Sequence, residues 1–528
     1  MLGFSYVKSA GAVLGVGSLV WCLAVTTACA AKGPAMAGPA APGPPVANVG
    51  RTRYQGEWTS SGSAVFRGIP YAQPPVGALR WKPPQPLPQP AGTHSAVQPV
   101  PTCLQAFVGW NRAEAERSEE DCLYLDIRTP RVNRKARLPV LVWIHGGANW
   151  AGAASWVIDS GLADRGIVVV TVQYRLGVFG FLSHPELTRE SPHGASGNFG
   201  LMDQIAALEW VKRNIAAFGG DPASVTIAGH SAGAQDAGLL LLSPRARGLF
   251  VRAIQQSGTA GFGLPARTLA ENERLGAAFA QLASVTQDES QIEALRATDA
   301  RKLLDAQMLL ESPTLADNSF LFLQPVMDGW IVTGAPADLL KNGKSARVPL
   351  LIGNTAQELT LYGGDSAVRR ALVRIFGPFS DQALGLYGLH DGTQPPDDPI
   401  LGSTAMQIAA DDTFRCPAEF TAATHAASGQ RVWRFQMERA APGQLRIDHG
   451  SELTFILDNR PLNISVDGVR PLLQSYWVNF ILHGDPNGPG LPQWPHYGGK
   501  RGYIAFTQSG PEVRTALRAP ICALLQRP

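Results

Sequence analysis

A serine between glycines stands where a predicted strand gives way to a predicted helix. Gly229-His230-Ser231-Ala232-Gly233 follows the apolar run Val225–Ala228 and opens the run Ala232–Leu242. A G-x-S-x-G nucleophile elbow requires this context, because its glycines allow a sharp turn that lifts the serine hydroxyl above the sheet, over a helix N-terminus. The pattern predicts nucleophilic catalysis by Ser231. The alternative is an ordinary strand-to-helix turn.

A second glycine-rich motif lies earlier in the chain. His145-Gly146-Gly147-Ala148 directly follows the apolar run Leu138–Ile144. Consecutive small residues let backbone N–H groups face a developing negative oxygen, and the N–H group of Ala232 would join them. A turn that merely closes a strand would explain either motif alone, but it explains the two together poorly. The sequence therefore predicts an oxyanion hole formed by Gly146, Gly147 and Ala232.

Strand-like and helical patterns alternate through the middle of the chain and must position these motifs. Continuous apolar runs are typical of strands buried on both faces. They cover Leu138–Ile144, Ile167–Tyr174, Val225–Ala228, Val251–Gln255, Val348–Ile352 and Arg431–Met437. Helical periodicity in Leu201–Ala217 and Ala232–Leu242 separates some of them. The alternation predicts an α/β fold with a mostly parallel twisted central sheet flanked by helices.

Two segments depart from this alternation. The proline-rich segment 52–101 is expected to hold only short edge strands, because proline cannot donate a hydrogen bond to a sheet. The segment from about 265 to 320 has helical patterns and no strand-like run, and it is predicted to be a helical insertion beside the sheet.

The composition is that of a chain with a sizeable core. Of 528 residues, 45% are apolar and 16% are charged, and 45 basic side chains against 42 acidic ones give a net charge of +3. Neither the balance nor any local run of Lys and Arg favours nucleic acid, so a nucleic-acid-binding function is excluded.

The N-terminus is typical of an export signal. Lys8 precedes the apolar and small-residue run Ala10–Ala31, which contains Ala28-Cys29-Ala30 and leads into a low-complexity stretch. This predicts a signal peptide at 1–30, an Ala/Gly/Pro-rich linker at 31–48 and a single domain at 49–528, secreted or periplasmic. A lipid anchor on Cys29 and an uncleaved membrane anchor are the alternatives. No later stretch reaches the roughly 18 apolar residues of another span.

Four cysteines remain after such processing. They are Cys103, Cys122, Cys416 and Cys522. An even number of cysteines in an oxidising compartment predicts two disulfides.

Longer segments along the mature chain match one family. They are Phe66–Ala72, Glu120–Leu125, Gly197–Gln204, Ala217–Pro222 leading to Ser231, and Gly484–Asn487. Together they resemble the type B carboxylesterases, the α/β-hydrolase family that also contains the cholinesterases. The resemblance covers essentially the whole mature chain. It implies an α/β-hydrolase fold with helical insertions and the hydrolysis of small-molecule carboxylic esters, without metal or cofactor.

The resemblance also implies the remaining catalytic residues. The family places its acid beyond the strand 348–352, where Glu358 stands. Its base lies in a His-Gly-x-Glu segment, which Asp448–Leu453 matches with His449. The implied triad of Ser231, Glu358 and His449 would work through an acyl-enzyme. Competing candidates for the acid are Asp328 and the pair Asp411-Asp412, and His425 and His496 are expected to be structural.

Further features follow from the same comparison with the family. It implies the disulfides Cys103–Cys122 and Cys416–Cys522, and structural ion pairs Arg175–Asp203 and Arg80–Glu120. Trp110 is interpreted as an aromatic residue at the rim of the site.

Two departures from the family pattern flank the predicted site. His230 replaces the glutamate that usually precedes the nucleophile, which argues against a choline-type preference for cations. Ala148 stands where a third glycine is frequent.

Two other functions compete with a soluble esterase. One is a catalytically dead relative that serves as a binding module, although such proteins typically lack the nucleophile that this chain retains. The other is a lipase acting at interfaces. The sequence gives neither the physiological ester nor the oligomeric state.

Overall fold

The computed structural model of the protein describes most of the chain. The described residues are 43–88, 91–153, 156–261, 267–285, 290–310, 325–389, 394–457 and 469–526. The predicted signal peptide 1–30, with Cys29, lies outside them, as does most of the predicted linker 31–48. Pro45–Pro528 forms one compact unit, whose first strand begins at Val46.

The strands of the described residues form one large sheet and two small ones. In chain order they are Val46–Val49 (β1), Thr52–Gln55 (β2), Glu57–Trp58 (β3), Ala64–Pro70 (β4), Gly92–Ser95 (β5), Thr102–Cys103 (β6), Ser118–Glu119 (β7), Tyr124–Thr129 (β8), Leu138–Ile144 (β9), Val168–Val172 (β10), Gly220–His230 (β11), Arg252–Gln256 (β12), Leu350–Thr355 (β13), Val432–Met437 (β14), Gly502–Thr507 (β15) and Gly510–Thr515 (β16). The large sheet has the order β16-β15-β14-β13-β12-β11-β9-β10-β8-β4-β3.

Helices cover the sheet and form an insertion beside it. In chain order the α-helices are Arg112–Glu116 (α1), Gly177–Phe181 (α2), Pro185–Glu190 (α3), Phe199–Asn214 (α4), Ala232–Leu242 (α5), Leu269–Leu282 (α6), Gln291–Ala297 (α7), Ala300–Met308 (α8), Pro336–Lys341 (α9), Gly364–Phe376 (α10), Ser380–Leu386 (α11), Thr404–Ala410 (α12), Cys416–Ala427 (α13), Leu453–Ile456 (α14), Val469–His483 (α15) and Ala519–Leu525 (α16). Helices α6 to α8 occupy the predicted insertion. A π-helical turn, Asp411–Arg415, joins α12 to α13.

The parallel sheet predicted from the continuous apolar runs is confirmed. All pairs between adjacent strands from β15 to β10 in the sheet order are parallel. At the two ends of this group, β15 pairs with β16 and β10 pairs with β8 in antiparallel orientation. All five residues of β10 are buried, as expected for a strand covered on both faces.

The prediction for the proline-rich segment is wrong at β4. This strand has seven residues and pairs with β8 inside the large sheet, and Val65 and Phe66 on it are fully buried. Its apolar residues precede most of the prolines of the segment. A register shift between Phe66 and Ile69, with Gly68 at φ 68°, interrupts the pairing with β8, which resumes at Ile69 and Pro70.

The strand order reverses next to β9. The chain leaves β9 for β10 on one side, and it then returns through α4 to place β11 on the other side of β9. In open α/β sheets, ligands bind outside the carboxyl ends of the strands at such a switch point. The two glycine motifs follow the carboxyl ends of β9 and β11, so the topology brings them to this crevice.

Two disulfides tie outer segments to the sheet domain. The structure joins Cys103 to Cys122, with Cα atoms 4.9 Å apart, and Cys416 to Cys522, with Cα atoms 5.0 Å apart. The second links α13 to α16 near the C-terminus. Among the described residues, no helix is both long enough and apolar enough to cross a membrane.

The two structural ion pairs expected from the sequence are confirmed. Arg175 Nη2 lies 2.7 Å from Asp203 Oδ1, and both side chains are buried. Arg80 Nε lies 2.6 Å from Glu120 Oε1 and holds the segment beside the first disulfide. These contacts fix loops between elements rather than line the switch-point crevice.

Candidate active site

Ser231 adopts a conformation that few non-glycine residues accept. Its backbone has φ 58° and ψ −125° at the start of α5, and its amide donates to the carbonyl of Gln256 on β12. Such a conformation costs about 1–3 kcal/mol and persists where neighbouring structure imposes it. A side chain at Gly229 would strike the carbonyl of Gly233, and one at Gly233 would strike that of Ile144. The close packing of strand, turn and helix therefore requires both glycines of the elbow.

The loop after β9 lies directly against this elbow. A Cβ atom added to Gly146 would lie 2.5 Å from the carbonyl oxygen of His230 and 2.9 Å from Cβ of Ser231. In the described part of the chain, the amides of Gly146, Gly147 and Ala232 donate no hydrogen bond to protein acceptors. Three free backbone donors are thus available beside Ser231.

Glu358 and His449 are in direct contact. His449 Nδ1 is hydrogen-bonded to Glu358 Oε2, and Glu358 Oε1 accepts from the Thr355 amide at 2.8 Å. The Glu358 side chain is fully buried, whereas 20% of the His449 side chain is exposed. A carboxylate on Nδ1 fixes the tautomer with its proton on that nitrogen, which leaves Nε2 as an acceptor.

Two rings hold His449 at the elbow. The ring centroids of His230 and His449 lie 4.5 Å apart, and Phe414 on the π-helical turn lies 5.2 Å from His449 on another side. Phe414 also packs against Ala232, the residue after the nucleophile. The contacts place His449 against His230, the residue before Ser231, and against Phe414, which packs on the residue after it.

The electrostatics of the site favour a basic His449. Removal from water lowers the pKa of His449, but the carboxylate charge of Glu358, and more weakly that of Glu452, raises it above 6.5 overall. Burial and the adjacent His449 lower the pKa of His230 well below 6.5. His230 therefore stays neutral, and the contact between the two rings adds no second positive charge.

Glu452 is a buried carboxyl group for which the sequence indicated no role. Gln256 Nε2 donates to Glu452 Oε1 at 3.2 Å, and Trp477 Nε1 donates to Gln256 Oε1 at 3.3 Å. Burial, followed by the charge of Glu358, raises the pKa of Glu452 to about 7. Its position three residues after His449, in the His-Gly-x-Glu segment, is the sequence signal that could have indicated a place near the site.

The competing candidates for the acid lie in other networks. Asp328 Oδ1 accepts three backbone amides of residues 330–332. Asp411 is hydrogen-bonded to Arg415 and Arg518. The neighbouring Asp412 is half-buried, and its partial removal from water raises its pKa to about 7. None of these carboxyl groups makes a hydrogen bond to His449 in the described structure.

The two histidines that were expected to be structural have other partners than Glu358. His425 is buried between the hydroxyl of Ser345 and the carbonyl of Val348. His496 packs on Trp433, with ring centroids 4.4 Å apart.

Trp110 lies beside the loop that follows β9. Its Cη2 atom is 3.3 Å from the position that a Cβ atom on Gly147 would occupy, and 62% of the residue is exposed. The described part of the chain contains no cluster of three His, Cys, Asp or Glu side chains that could hold a metal ion.

Comparisons with known proteins show the family of the chain. A model of the carboxylesterase family matches residues 48–370 and 385–525. The chain belongs to the carboxylesterase family. It is 33% identical to a fumonisin B1 esterase of Sphingopyxis macrogoltabida, over 82% of this chain and 81% of that protein. It is 32% identical to liver carboxylesterase 1 of Oryctolagus cuniculus, over 94% of this chain and 95% of that protein.

Solved carboxylesterase structures share the fold. A Geobacillus stearothermophilus carboxylesterase superposes with a TM-score of 0.77 at 32% identity, covering 91% of this chain and all of that one. A PNB esterase superposes with a TM-score of 0.76 at 31% identity, covering 91% of this chain and 99% of that one. This carboxylesterase therefore has the predicted α/β-hydrolase fold, and it is a serine hydrolase that acts on small-molecule carboxylic esters.

Proposed function

We propose that the chain is an exported esterase whose catalytic triad is Ser231, His449 and Glu358. The observation that carries the proposal is the position of His449. Its Nδ1 is bound by a buried carboxylate, and its ring packs on the residue before Ser231. A base oriented by an acid and placed beside a serine is the arrangement that activates a hydroxyl nucleophile.

The mechanism follows from these contacts. Ser231 Oγ attacks the ester carbonyl carbon while His449 Nε2 takes its proton. Glu358 holds the proton on Nδ1 and stabilises the imidazolium that forms. The tetrahedral intermediate collapses when His449 returns the proton to the departing alcohol. Water then attacks the acyl-enzyme with His449 again as the base. The second tetrahedral intermediate breaks its bond to Ser231 Oγ, which takes the proton back from His449, and the carboxylic acid product leaves.

The oxyanion of each tetrahedral intermediate needs donors that are in place beforehand. We assign this role to the amides of Gly146, Gly147 and Ala232, which have no other acceptor in the described structure. Loss of a single donor from an oxyanion hole lowers kcat by about 10²–10³-fold in other serine hydrolases.

A hydrolysis panel tests the activity. We expect turnover of soluble p-nitrophenyl esters with short acyl chains, with a burst of p-nitrophenol when deacylation is slow. Emulsified long-chain triglyceride forms the second arm. A strong preference for the emulsion would indicate a lipase instead, and no turnover of any ester would indicate a binding module.

The pH dependence of kcat/KM is the first specific prediction. Only neutral His449 can accept the Ser231 proton, so activity falls as pH drops below the pKa of His449. Because that pKa is raised above 6.5, the acid limb should have its midpoint above 6.5. Glu358 supplies most of the raising charge, because Glu452 has a pKa of about 7 and is mostly protonated below that pH. A midpoint at or below 6.5 would contradict the raised pKa of His449.

The proposed export predicts which residue begins the mature protein and that its four cysteines are paired. Peptide mapping of the exported protein without reductant should find Ala31 at the N-terminus and the linked pairs Cys103–Cys122 and Cys416–Cys522. The first disulfide closes a loop of 19 residues, which is worth about 3 kcal/mol in the chain-entropy model. Free or cross-paired thiols would refute oxidative export, and an acylated Cys29 would show the lipid-anchored alternative.

A further inference from the structure

The loop that follows β9, residues 145–149, has an unusual backbone, and we call it the oxyanion loop. Gly147, Ala148 and Asn149 follow one another with φ values of 115°, 57° and 56°. Two of these residues are not glycine, and a left-handed conformation of such residues costs free energy and persists only where the surrounding structure imposes it. The contacts that impose it therefore determine where the loop amides point.

Asn149 is held in this loop through both its backbone and its side chain. It is fully buried, and its carbonyl accepts from the Gly177 amide at 2.7 Å. Its side-chain Nδ2 donates to Asp236 Oδ1 at 3.0 Å, and its Oδ1 accepts from the Tyr174 hydroxyl at 3.2 Å. The same hydroxyl lies 2.7 Å from the carbonyl oxygen of His145, so its single proton is shared between two acceptors, and Tyr174 contacts both ends of the loop.

Asp236 is fully buried on α5, five residues after Ser231. Its second oxygen, Oδ2, accepts from Gln204 Nε2 on α4 at 2.6 Å. Each oxygen of this carboxyl group accepts one hydrogen bond from a side-chain amide. This pattern suits the ionised carboxylate, which can only accept hydrogen bonds. Burial raises its pKa to about 7, and the donors from Gln204 and Asn149 partly oppose that rise.

The geometry points to Asp236 and Asn149 as positioning residues for the oxyanion hole. The helix α5 supplies one proposed donor, the Ala232 amide, and the loop supplies the other two. The Asn149–Asp236 hydrogen bond joins loop and helix within about one helical turn of Ala232. It fixes the two halves of the hole relative to each other, and neither side chain touches the substrate.

This inference rests on the proposed function and has a separate test. Asn149→Ala cuts the link and leaves Asp236 Oδ1 buried without its donor. Because a misplacement of about 1 Å can cost about 10²-fold, we expect kcat per active site to fall by about that factor with little change in KM. Active sites are counted as fluorophosphonate bound at completion, so misfolded protein does not enter the rate.

A transition-state analogue gives a readout that a purely structural role would not move. Ser231 Oγ adds to the carbonyl carbon of a trifluoromethyl ketone, its proton passes to His449, and the carbonyl oxygen becomes an oxyanion. In Asn149→Ala, the inhibition constant of the ketone should rise by the same factor by which kcat/KM falls. The matched control is Asn272→Ala on α6. It removes a buried asparagine whose Nδ2 donates to the carbonyl of Phe181 and the hydroxyl of Ser183. This control should lower stability and leave kcat per active site unchanged.

Exchange of the two side chains completes the test and covers the case in which Asn149→Ala does not fold. Asn149→Asp alone places two carboxyl groups together and should lose activity. The double variant Asn149→Asp/Asp236→Asn retains a donor facing an acceptor and should recover to within about tenfold of wild type. An unchanged kcat per active site in Asn149→Ala or Asn149→Asp, or no recovery in the double variant, would overturn the inference. The proposed function fails separately, through an inactive wild type.

Discussion

Ser231→Ala is expected to abolish ester hydrolysis and leave the fold intact. Removal of the nucleophile from a serine hydrolase lowers kcat by about 10⁶-fold, because the remaining groups cannot form the acyl-enzyme. The hydroxyl is small and the site is partly open, so the substitution removes no core packing. Purified variant and wild type should be compared with a soluble p-nitrophenyl ester, with thermal unfolding as the check on folding.

Ser257→Ala is the matched control for that substitution. Ser257 follows β12, the strand next to β11, and it also has a positive φ, 52°. Its hydroxyl is buried without a partner among the described residues. The same chemical change there should leave turnover near that of wild type. Retention of a tenth of wild-type activity by Ser231→Ala would remove Ser231 from its assigned role.

Glu358→Gln should reduce kcat by about 10⁴-fold and change KM little. The amide keeps the shape of the pocket, but it cannot stabilise the imidazolium, and it removes the preference for a proton on His449 Nδ1. Glu358→Asp keeps a carboxylate one methylene shorter and should retain part of the activity. Steady-state kinetics over a range of ester concentrations separates the effect on kcat from that on KM.

Asp412→Asn serves as the control for the acid assignment. Asp412 was a competing candidate, and burial already raises its pKa to about 7, so an amide replaces a group that is often neutral. Near-normal turnover is expected. If Asp412→Asn abolishes turnover while Glu358→Gln leaves it nearly unchanged, the acid has been misassigned. That result would not affect the assignments of the nucleophile and the base.

The sequence predicted those features that depend on neighbours in the chain. The elbow around Ser231 could be predicted because its glycines, the strand before it and the helix after it are contiguous. The parallel sheet could be predicted for the same reason, since each buried strand is a continuous apolar run. Glu358 and His449 are 91 positions apart, and only the longer family-like segments indicated that they belong to one site.

Contacts between distant segments could not be predicted from local pattern. Phe414 lies on a π-helical turn, and nothing in its neighbours in the chain indicates that it packs on His449. Asn149 and Asp236 are 87 positions apart, and neither residue type marks a strand end or a turn there. The sequence did not predict that β4 lies between two other strands of the large sheet. Prolines dominate the composition of its segment, and the apolar residues that pair with β8 are few.

Labelling with an alkyl fluorophosphonate tests the central claim most directly. The reagent phosphonylates a serine that a neighbouring base activates, with fluoride as the leaving group. We predict one adduct per molecule, located on Ser231 by peptide mass spectrometry, and loss of ester hydrolysis in proportion to its incorporation. An adduct on another serine, or full hydrolytic activity after Ser231 is labelled, would contradict the assignment of Ser231 as the nucleophile.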